Sequence, residues 1–304
     1  LPYNALKKIE NLEIVRDVCL APLTTFRIGG RARLFLRPGT LGALERTVSF
    51  LSREGIAYKV LGRGSNLLIS DSGVGVVMSL AALQTISGPF PPRSGTGRPT
   101  DRYVTVEAGC RLKSLLGWSI RSGLGGLECL TGIPASIGGA VAMNAGTAEG
   151  SIGEITDALL LCGPEGTGWV DAKELDFRYR GLKLPEKGII SAARLRLHPS
   201  PSQEIRSRMR VNLEWRLRTQ PLGRPSAGSV FKNPPGDSAG RLIDICGLKG
   251  LTAGDAHVSN THANFIVNLG NATCLQVLEL MDIIKMRVKK ETGVVLEPEL
   301  AIWG

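Results

Sequence analysis

The sequence predicts an α+β protein, and three observations carry that reading. Helix-like and strand-like segments are mixed without the regular βαβ alternation of a doubly wound sheet. The run Gly62-Arg63-Gly64-Ser65-Asn66 returns into a strand instead of opening a helix, and it lacks the third glycine of a dinucleotide fingerprint. The composition changes at Pro199-Ser200-Pro201-Ser202, which marks a domain boundary. With 304 residues, the chain can bury a sizeable core in two or three domains.

The folded part opens at residues 23–30, and a strand follows over 32–36. Thr40 caps a helix with Leu41, Leu44, Val48 and Leu51 on its apolar face, and Gly55 stops it. Short strands are expected at 58–61, at 67–69 after the glycine loop, and at 75–80. Residues 87–102, rich in proline and glycine, read as a surface loop without chemistry. The sheet resumes at 104–107, and a helix over 113–121 ends at Gly123. Residues 155–162 and 168–170 make a hairpin about Gly163-Pro164-Glu165-Gly166, and 189–197 is a further strand. Beyond the boundary, 202–219 reads as a helix with Ile205, Met209, Leu213 and Leu217 on one face. A strand at 264–269 and a long amphipathic helix over 273–291, closed by Gly293, follow. The chain ends on a strand carrying Glu297-Pro298-Glu299-Leu300.

The stretch from 126 to 146 dominates this order. It has glycines at 126, 132, 138, 139 and 146, one proline, and neither lysine nor arginine. That is too glycine-rich for an ordinary helix and too apolar for a disordered linker. Backbone N–H groups on such a stretch can bond a phosphate or a ring edge without a cationic side chain, so it reads as the wall of a cofactor pocket. The 62–66 loop offers the same chemistry more weakly, since a plain turn explains it equally well.

Composition narrows the function. The formal net charge is +10, and between residues 176 and 224 twelve Lys/Arg face four Asp/Glu. This basic field suits a multiply anionic small molecule; no aromatic-interleaved basic motif accompanies it, so nucleic acid is not the expected partner. No apolar run is long enough to span a bilayer and no signal segment opens the chain, although a start at Leu1 instead of methionine leaves open an earlier leader. The six cysteines (19, 110, 129, 162, 246 and 274) form no CxxC pair and sit in apolar settings, which points to buried free thiols in a reducing compartment. The three histidines show no ligand spacing with them, so no metal site is expected.

Some polar residues are candidates for chemistry. Phe177-Arg178-Tyr179-Arg180 sets two guanidinium groups beside an aromatic ring, a natural partner for carboxylate or phosphate, although surface arginines are the plainer reading of each alone. Ser229, between Gly228 and Lys232-Asn233, is a candidate proton donor or anion contact, and serine in a turn is usually just a turn residue. Glu299 in an apolar terminal segment is unusual for a carboxylate. His257 and His262 carry no distinguishing pattern. These residues alone do not name a reaction.

Taken in order, Thr24-Thr25-Phe26-Arg27-Ile28-Gly29-Gly30, the 62–66 loop, the 126–146 stretch, 177–180, 226–234, His262-Ala263-Asn264-Phe265 and 296–300 resemble the UDP-N-acetylenolpyruvoylglucosamine reductases, the MurB family. The resemblance covers residues 20 to 303. It implies a vanillyl-alcohol-oxidase-type (PCMH-like) FAD-binding fold over residues 1–199, in subdomains of about 1–75 and 76–199, with a small α+β substrate-binding domain over 200–304. It implies non-covalent FAD, NADPH as hydride donor, and reduction of UDP-N-acetylglucosamine enolpyruvate to UDP-N-acetylmuramate for peptidoglycan and cell-wall synthesis. A monomeric cytoplasmic enzyme is expected, of the shorter subtype without a substrate-capping insertion.

Matched positions acquire roles by the same resemblance. Arg180 would hold the substrate carboxylate, Ser229 would protonate C2, and Glu299 would orient the carboxylate with a raised pKa. Gly62, Gly64, Ser65 and Asn66 would face the FAD diphosphate. Gly132, Ile133, Pro134, Ser136, Ile137, Gly138, Gly139, Asn144 and Gly146 would line the flavin. Tyr179 would bind the substrate, Lys232 and Asn233 would contact its UDP portion, and His262 and Asn264 match a motif without an assigned task. Ala301 stands where the family commonly has a basic residue. The nearest alternatives are a flavoprotein of the same fold with another alcohol or sugar substrate, and a non-catalytic nucleotide-binding module.

Overall fold

Buried apolar side chains collect in two clusters, and stretches far apart in sequence feed each of them. The computed structural model describes residues 3–92, 97–184 and 188–304. One compact unit comprises residues 1–15, 34–62 and 76–214; the other comprises 16–33, 63–75 and 215–304. The composition change at 199–202 falls inside the first unit, because the helix that follows it sends Ile205 and Met209 into that unit's core.

A four-stranded sheet runs in the order Leu12–Cys19, Arg31–Pro38, Val74–Ser79, Tyr58–Leu61, the last two parallel. The helix Leu41–Arg53 follows its sequence signals closely. Thr40 Oγ1 accepts from Ala43 N at 3.1 Å, Leu44, Val48 and Leu51 are fully buried, and Gly55 takes φ 63° beyond the last turn. Each such buried leucine contributes about 2 kcal/mol of transfer free energy.

A larger antiparallel sheet orders Gly166–Asp171, Thr156–Gly163, Ile189–Pro199, Arg102–Glu107 and Ile86–Phe90, and Leu124–Gly125 also pairs with Ile189–Pro199. The hairpin closes at Gly163 opposite Gly166, as the sequence indicates. The strand Ile189–Pro199, flanked on both edges, is buried throughout Ile189 to Ala193 and alternates beyond, Leu195 and Leu197 inward and Arg196 outward.

The second unit has its own sheet, ordered Ser226–Ser229, Phe265–Asn268, Ala256–Val258, Thr252–Ala253. Its core helix Cys274–Thr292 has a Thr273/Gln276 capping box and ends at Gly293, φ 75°. Both Asp71 carboxylate oxygens accept from Cys274 N, at 3.1 and 2.9 Å, setting a negative charge on that helix's N-terminus. Ala301–Trp303 lies parallel to Leu67–Ile69.

Several expectations need correction. A short helix, Tyr3–Leu6, and the strand Leu12–Cys19 precede residue 23; the strand alternates too weakly in hydropathy to be read. The proline-rich segment begins as a strand, Ile86–Phe90, and its residues 93–96 lie outside the described residues. Cys19 is exposed and Cys129 and Cys246 are only half-buried, so the thiols are free but not all buried. Glu297 to Leu300 precede the last strand and run beside Val230 to Lys232, with an isolated bridge between Phe231 and Pro298.

The 202–219 helix has the expected ends, Ser202–Thr219, but not the expected face. Ile205 and Met209 are buried, while Leu213 is 40% and Leu217 60% exposed. Each i,i+4 step overshoots a full turn by about 40°. Three such steps carry Leu217 a third of the way round the helix from Ile205. Ile205→Ala is therefore expected to destabilise the protein by about 2–5 kcal/mol. Leu217→Ala should stay within about 0.5 kcal/mol. Thermal melts of the two variants check this.

Candidate active site

Within the first unit, the 126–146 stretch is more regular than its glycine content suggests. It contains a six-residue helix, Ile137–Ala142, capped by Ser136, whose Oγ accepts from Gly139 N at 3.4 Å. The Ile137 and Gly138 amides donate to Cys110 O and Ala108 O, both at 2.9 Å. The helix is thereby fastened to the end of the strand Arg102–Glu107, and its first amides bond protein, not ligand. Gly138 is needed for this approach: a Cβ there would lie 2.8 Å from Ala108 Cβ. A Cβ on Gly62 would lie 2.7 Å from Ser136 Oγ. The Gly62 and Gly139 backbones thus face each other beside the Ser136 hydroxyl, a side-chain-free cradle of the kind a diphosphate-bearing cofactor needs.

The hairpin Asp176–Arg178/Gly181–Lys183 turns through Tyr179 and Arg180. Arg180 is held at φ 56°, a left-handed conformation that costs a non-glycine residue about 1–2 kcal/mol. Arg180 Nη1 donates to Gly146 O at 3.3 Å, and its guanidinium lies 5.0 Å from the Tyr179 ring centroid. Asn144 Nδ2 donates to Arg178 O, and Asn144 Oδ1 accepts from Gly153 N, each at 3.0 Å. Asn144 and Gly146 therefore hold the arginine turn in place. Tyr179 is 55% exposed and open to a ligand.

Within the second unit, Gly64 takes φ 62° against Leu23 and Thr24, and its carbonyl accepts from Thr25 N at 3.1 Å. This explains the company of Thr24-Thr25 with the glycine loop. Asn66 Nδ2 donates to Glu299 O at 3.0 Å, and Ala301 N donates to Asn66 O, also at 3.0 Å. The loop that the sequence assigns to the cofactor is thus bonded to the main chain of the candidate glutamate, which is half-buried.

Ser229 owes its orientation to a β-bulge. Ser226 pairs with Val267 and Ser229 with Phe265, so three steps on one strand match two on the other. Without the extra residue, Ser229 would share the core face with buried Ala227. Instead Gly228 takes φ 81°, Val230 fills the core position, and Ser229 is half-buried. Beyond it, Lys232 Nζ lies 3.4 Å from Glu297 Oε2, and Asn233 Oδ1 accepts from Ala239 N at 3.0 Å.

His262 and Asn264 now have structural tasks. Asn264 binds the main chain of Phe231, and His262 Nδ1 accepts from Asn264 N at 3.2 Å. That bond needs an unprotonated Nδ1. Burial, helped by Lys249, lowers the His262 pKa below the ordinary 6.5, against a weaker opposite pull from its own backbone bond and Asp244. Three thiols are poor nucleophiles: burial, with nearby carboxylates, pushes Cys110, Cys129 and Cys274 up to about 11. Among the described residues there is no metal-binding cluster and no helix long and apolar enough to cross a membrane.

Comparisons with known proteins show the family and the fold. Residues 220–303 match the family model of the UDP-N-acetylenolpyruvoylglucosamine reductase C-terminal domain, and residues 32–167 match that of an FAD-binding domain. The UDP-N-acetylenolpyruvoylglucosamine reductase of Anaeromyxobacter dehalogenans strain 2CP-1 is 41% identical, over 96% of this chain and 86% of its own length. That of Myxococcus xanthus is 39% identical, over 98% and 95%. The crystal structure of the Thermus caldophilus enzyme superposes with a TM-score of 0.77 at 40% identity, covering 96% of this chain and 99% of its own.

Two expectations follow from the geometry. Nothing lies within 4 Å of a Cβ built on Gly228, so Gly228→Ala should cost only its left-handed conformation, about 1–2 kcal/mol, read in a thermal melt. His262, neutral when folded, protonates more readily in the unfolded chain. Its contribution is present above pH 6.5 and is lost as the pH falls through the lowered folded pKa. Melting temperatures from pH 8 to 5 should therefore fall less steeply in His262→Gln than in the parent.

Proposed function

The chain belongs to the UDP-N-acetylenolpyruvoylglucosamine reductase family, and we propose that Arg180, Ser229 and Glu299 carry the chemistry of that reaction here. The protein is an FAD-dependent oxidoreductase of peptidoglycan precursor synthesis, with NADPH as hydride donor, that reduces the enolpyruvyl group of UDP-N-acetylglucosamine enolpyruvate. Its fold class is α+β with the vanillyl-alcohol-oxidase-type FAD-binding domain.

Bound FAD supplies the hydride for C3 of the substrate. The residues Gly62, Gly64, Ser65, Gly132 to Pro134 and Ser136 to Gly139 would surround the cofactor in this reading, with the Gly62/Ser136 cradle at its diphosphate and Ile137 and Gly138 contributing shape, since their amides bond Cys110 O and Ala108 O. As C3 gains hydrogen, an electron pair develops at C2 and spreads into the adjoining carboxylate. Arg180 binds that carboxylate with a planar two-pronged guanidinium and stabilises the growing charge. Its left-handed backbone, which only surrounding bonds can maintain, is the kind of local strain found at functional sites.

Ser229 delivers a proton from Oγ to C2 and regains one from water, so the reduction balances as one hydride and one proton. Glu299, protonated, donates to the carboxylate; ionised, it would repel the charge that Arg180 stabilises. Tyr179 binds the substrate, and Lys232 and Asn233 contact its UDP portion. Asn144, Gly146 and Asn66 contribute by holding Arg180 and Glu299 as well as by lining the cofactor. Residues 1–199 supply most of the flavin-binding region, the helix Ser202–Thr219 packs on its core, and residues 220–304 form the substrate-binding region, in a monomeric cytoplasmic enzyme.

The observation that carries the reading is the bulge at Gly228, which turns Ser229 away from the core face its strand would otherwise give it. Anaerobic rapid mixing tests it. In Ser229→Ala, flavin reduction by NADPH should stay near the parent rate, while reoxidation by the enolpyruvyl sugar slows by about 10²–10⁴. Equal losses in both halves would remove Ser229 as the donor. Arg180→Lys keeps the charge but loses the fork, and reoxidation should fall by about 10²-fold or more. Near-normal turnover there would exclude Arg180 from the chemistry.

A further inference from the structure

We propose that Asn264 is a positioning residue for proton delivery, fixing the main chain that carries Ser229 and, through it, the main chain of Glu299. This rests on Ser229 being the donor. Asn264 is 3% exposed, and its side chain meets both polar groups of one peptide residue. Its Oδ1 accepts from Phe231 N at 2.9 Å, and its Nδ2 donates to Phe231 O at 2.8 Å. Its own carbonyl accepts from Val230 N at 2.9 Å. One residue thus replaces the ladder that the bulge interrupts, directly after Ser229.

The opposite side of the same run holds Glu299. Val230 O accepts from Glu299 N at 2.8 Å, and Lys232 N donates to Glu297 O at 2.9 Å. Val230 therefore has its N–H on Asn264 and its carbonyl on Glu299. Loss of the asparagine amide frees Phe231, which is fully buried, from both bonds at once. A peptide in that position relaxes by moving, and both Ser229 and Glu299 move with it. A proton transfer is sensitive to displacements of this kind, because a misplacement of about 1 Å costs on the order of 10²-fold in rate.

The motif around Asn264 supports the assignment. His262 Nδ1 accepts from Asn264 N, and the His262 ring packs edge-on against Phe265 with centroids 4.9 Å apart. Ser259 Oγ accepts from Thr261 N at 3.1 Å and from His262 N at 3.4 Å. The turn before Asn264 is thus closed by its own bonds, so the clamp presses on the Ser229 segment from a fixed base.

The test uses the FAD-loaded full chain and compares the parent with Asn264→Ala, Ser229→Ala and the double variant. Asn264→Ala should leave NADPH reduction of the flavin within about twofold and slow reoxidation by the enolpyruvyl sugar about 10-fold or more. In the Ser229→Ala background, adding Asn264→Ala should slow reoxidation by clearly less than it does in the parent, because only its effect through Glu299 remains. Amide hydrogen exchange over residues 229–232 should quicken in Asn264→Ala without FAD turnover being involved. If Asn264→Ala fails to fold, Asn264→Asp carries the same expectation, since it keeps the acceptor for Phe231 N and loses the donor to Phe231 O. Fully multiplicative losses in the double variant, or unchanged exchange over 229–232, would overturn the positioning role. If Ser229→Ala itself shows no selective loss, the donor assignment fails instead, and that outcome is read separately.

Discussion

Main chain from Val230 to Lys232 is hydrogen-bonded on both sides to parts of the sequence remote from it. Asn264 takes the N–H of Val230 and both polar groups of Phe231; the segment before the last strand takes Val230 O and Lys232 N. Ser229 and Glu299, distant in sequence, are thereby separated in backbone terms by a single Glu299-to-Val230 hydrogen bond. Buried peptide groups leave no slack in such an arrangement, because an unmade bond costs about 1–3 kcal/mol. The bulge at Gly228 matters only because this run is fixed: a bulge on a loose strand would aim its serine nowhere in particular.

The same device recurs with other asparagines. Asn144 joins the glycine stretch to Arg178, Asn66 joins the glycine loop to Glu299, and Asn268 donates to Phe26 O at 3.1 Å while accepting from Gly270 and Ala272. An asparagine amide carries one donor group and one acceptor on a rigid plane, the pair that a peptide also presents. It can stand in for a strand neighbour where the backbone is irregular. The glycines permit that irregularity and the asparagines then lock it.

Local signals were legible wherever a single physical rule governs them. Thr40 as a cap, Gly123 and Gly293 as left-handed helix ends, and the Gly163/Gly166 hairpin all follow from side-chain or backbone geometry within a few residues. The face of the 202–219 helix was not legible, because an i,i+4 ladder drifts and tertiary packing chooses which part of it to bury. The strand Leu12–Cys19 has exposed residues at most positions, so no alternation betrays it. At the candidate site, the resemblance carried by the ordered motifs is what singled out Arg180, Ser229 and Glu299, since their residue types alone named no reaction. The bulge and the Asn264 clamp were hidden, since both depend on the register of strands that only the fold brings together. A Gly228-Ser229 pair and an asparagine shortly before a strand were the only available hints.

The central claim is that this fold delivers reducing equivalents from NADPH to the enolpyruvyl sugar nucleotide. The most direct measurement is the flavin absorbance of the purified, FAD-loaded protein, first reduced anaerobically with NADPH and then mixed with UDP-N-acetylglucosamine enolpyruvate. The account predicts bleaching in the first step, rapid recovery of the oxidised spectrum in the second, and UDP-N-acetylmuramate as product. A flavin that NADPH bleaches but the sugar nucleotide leaves reduced would contradict it.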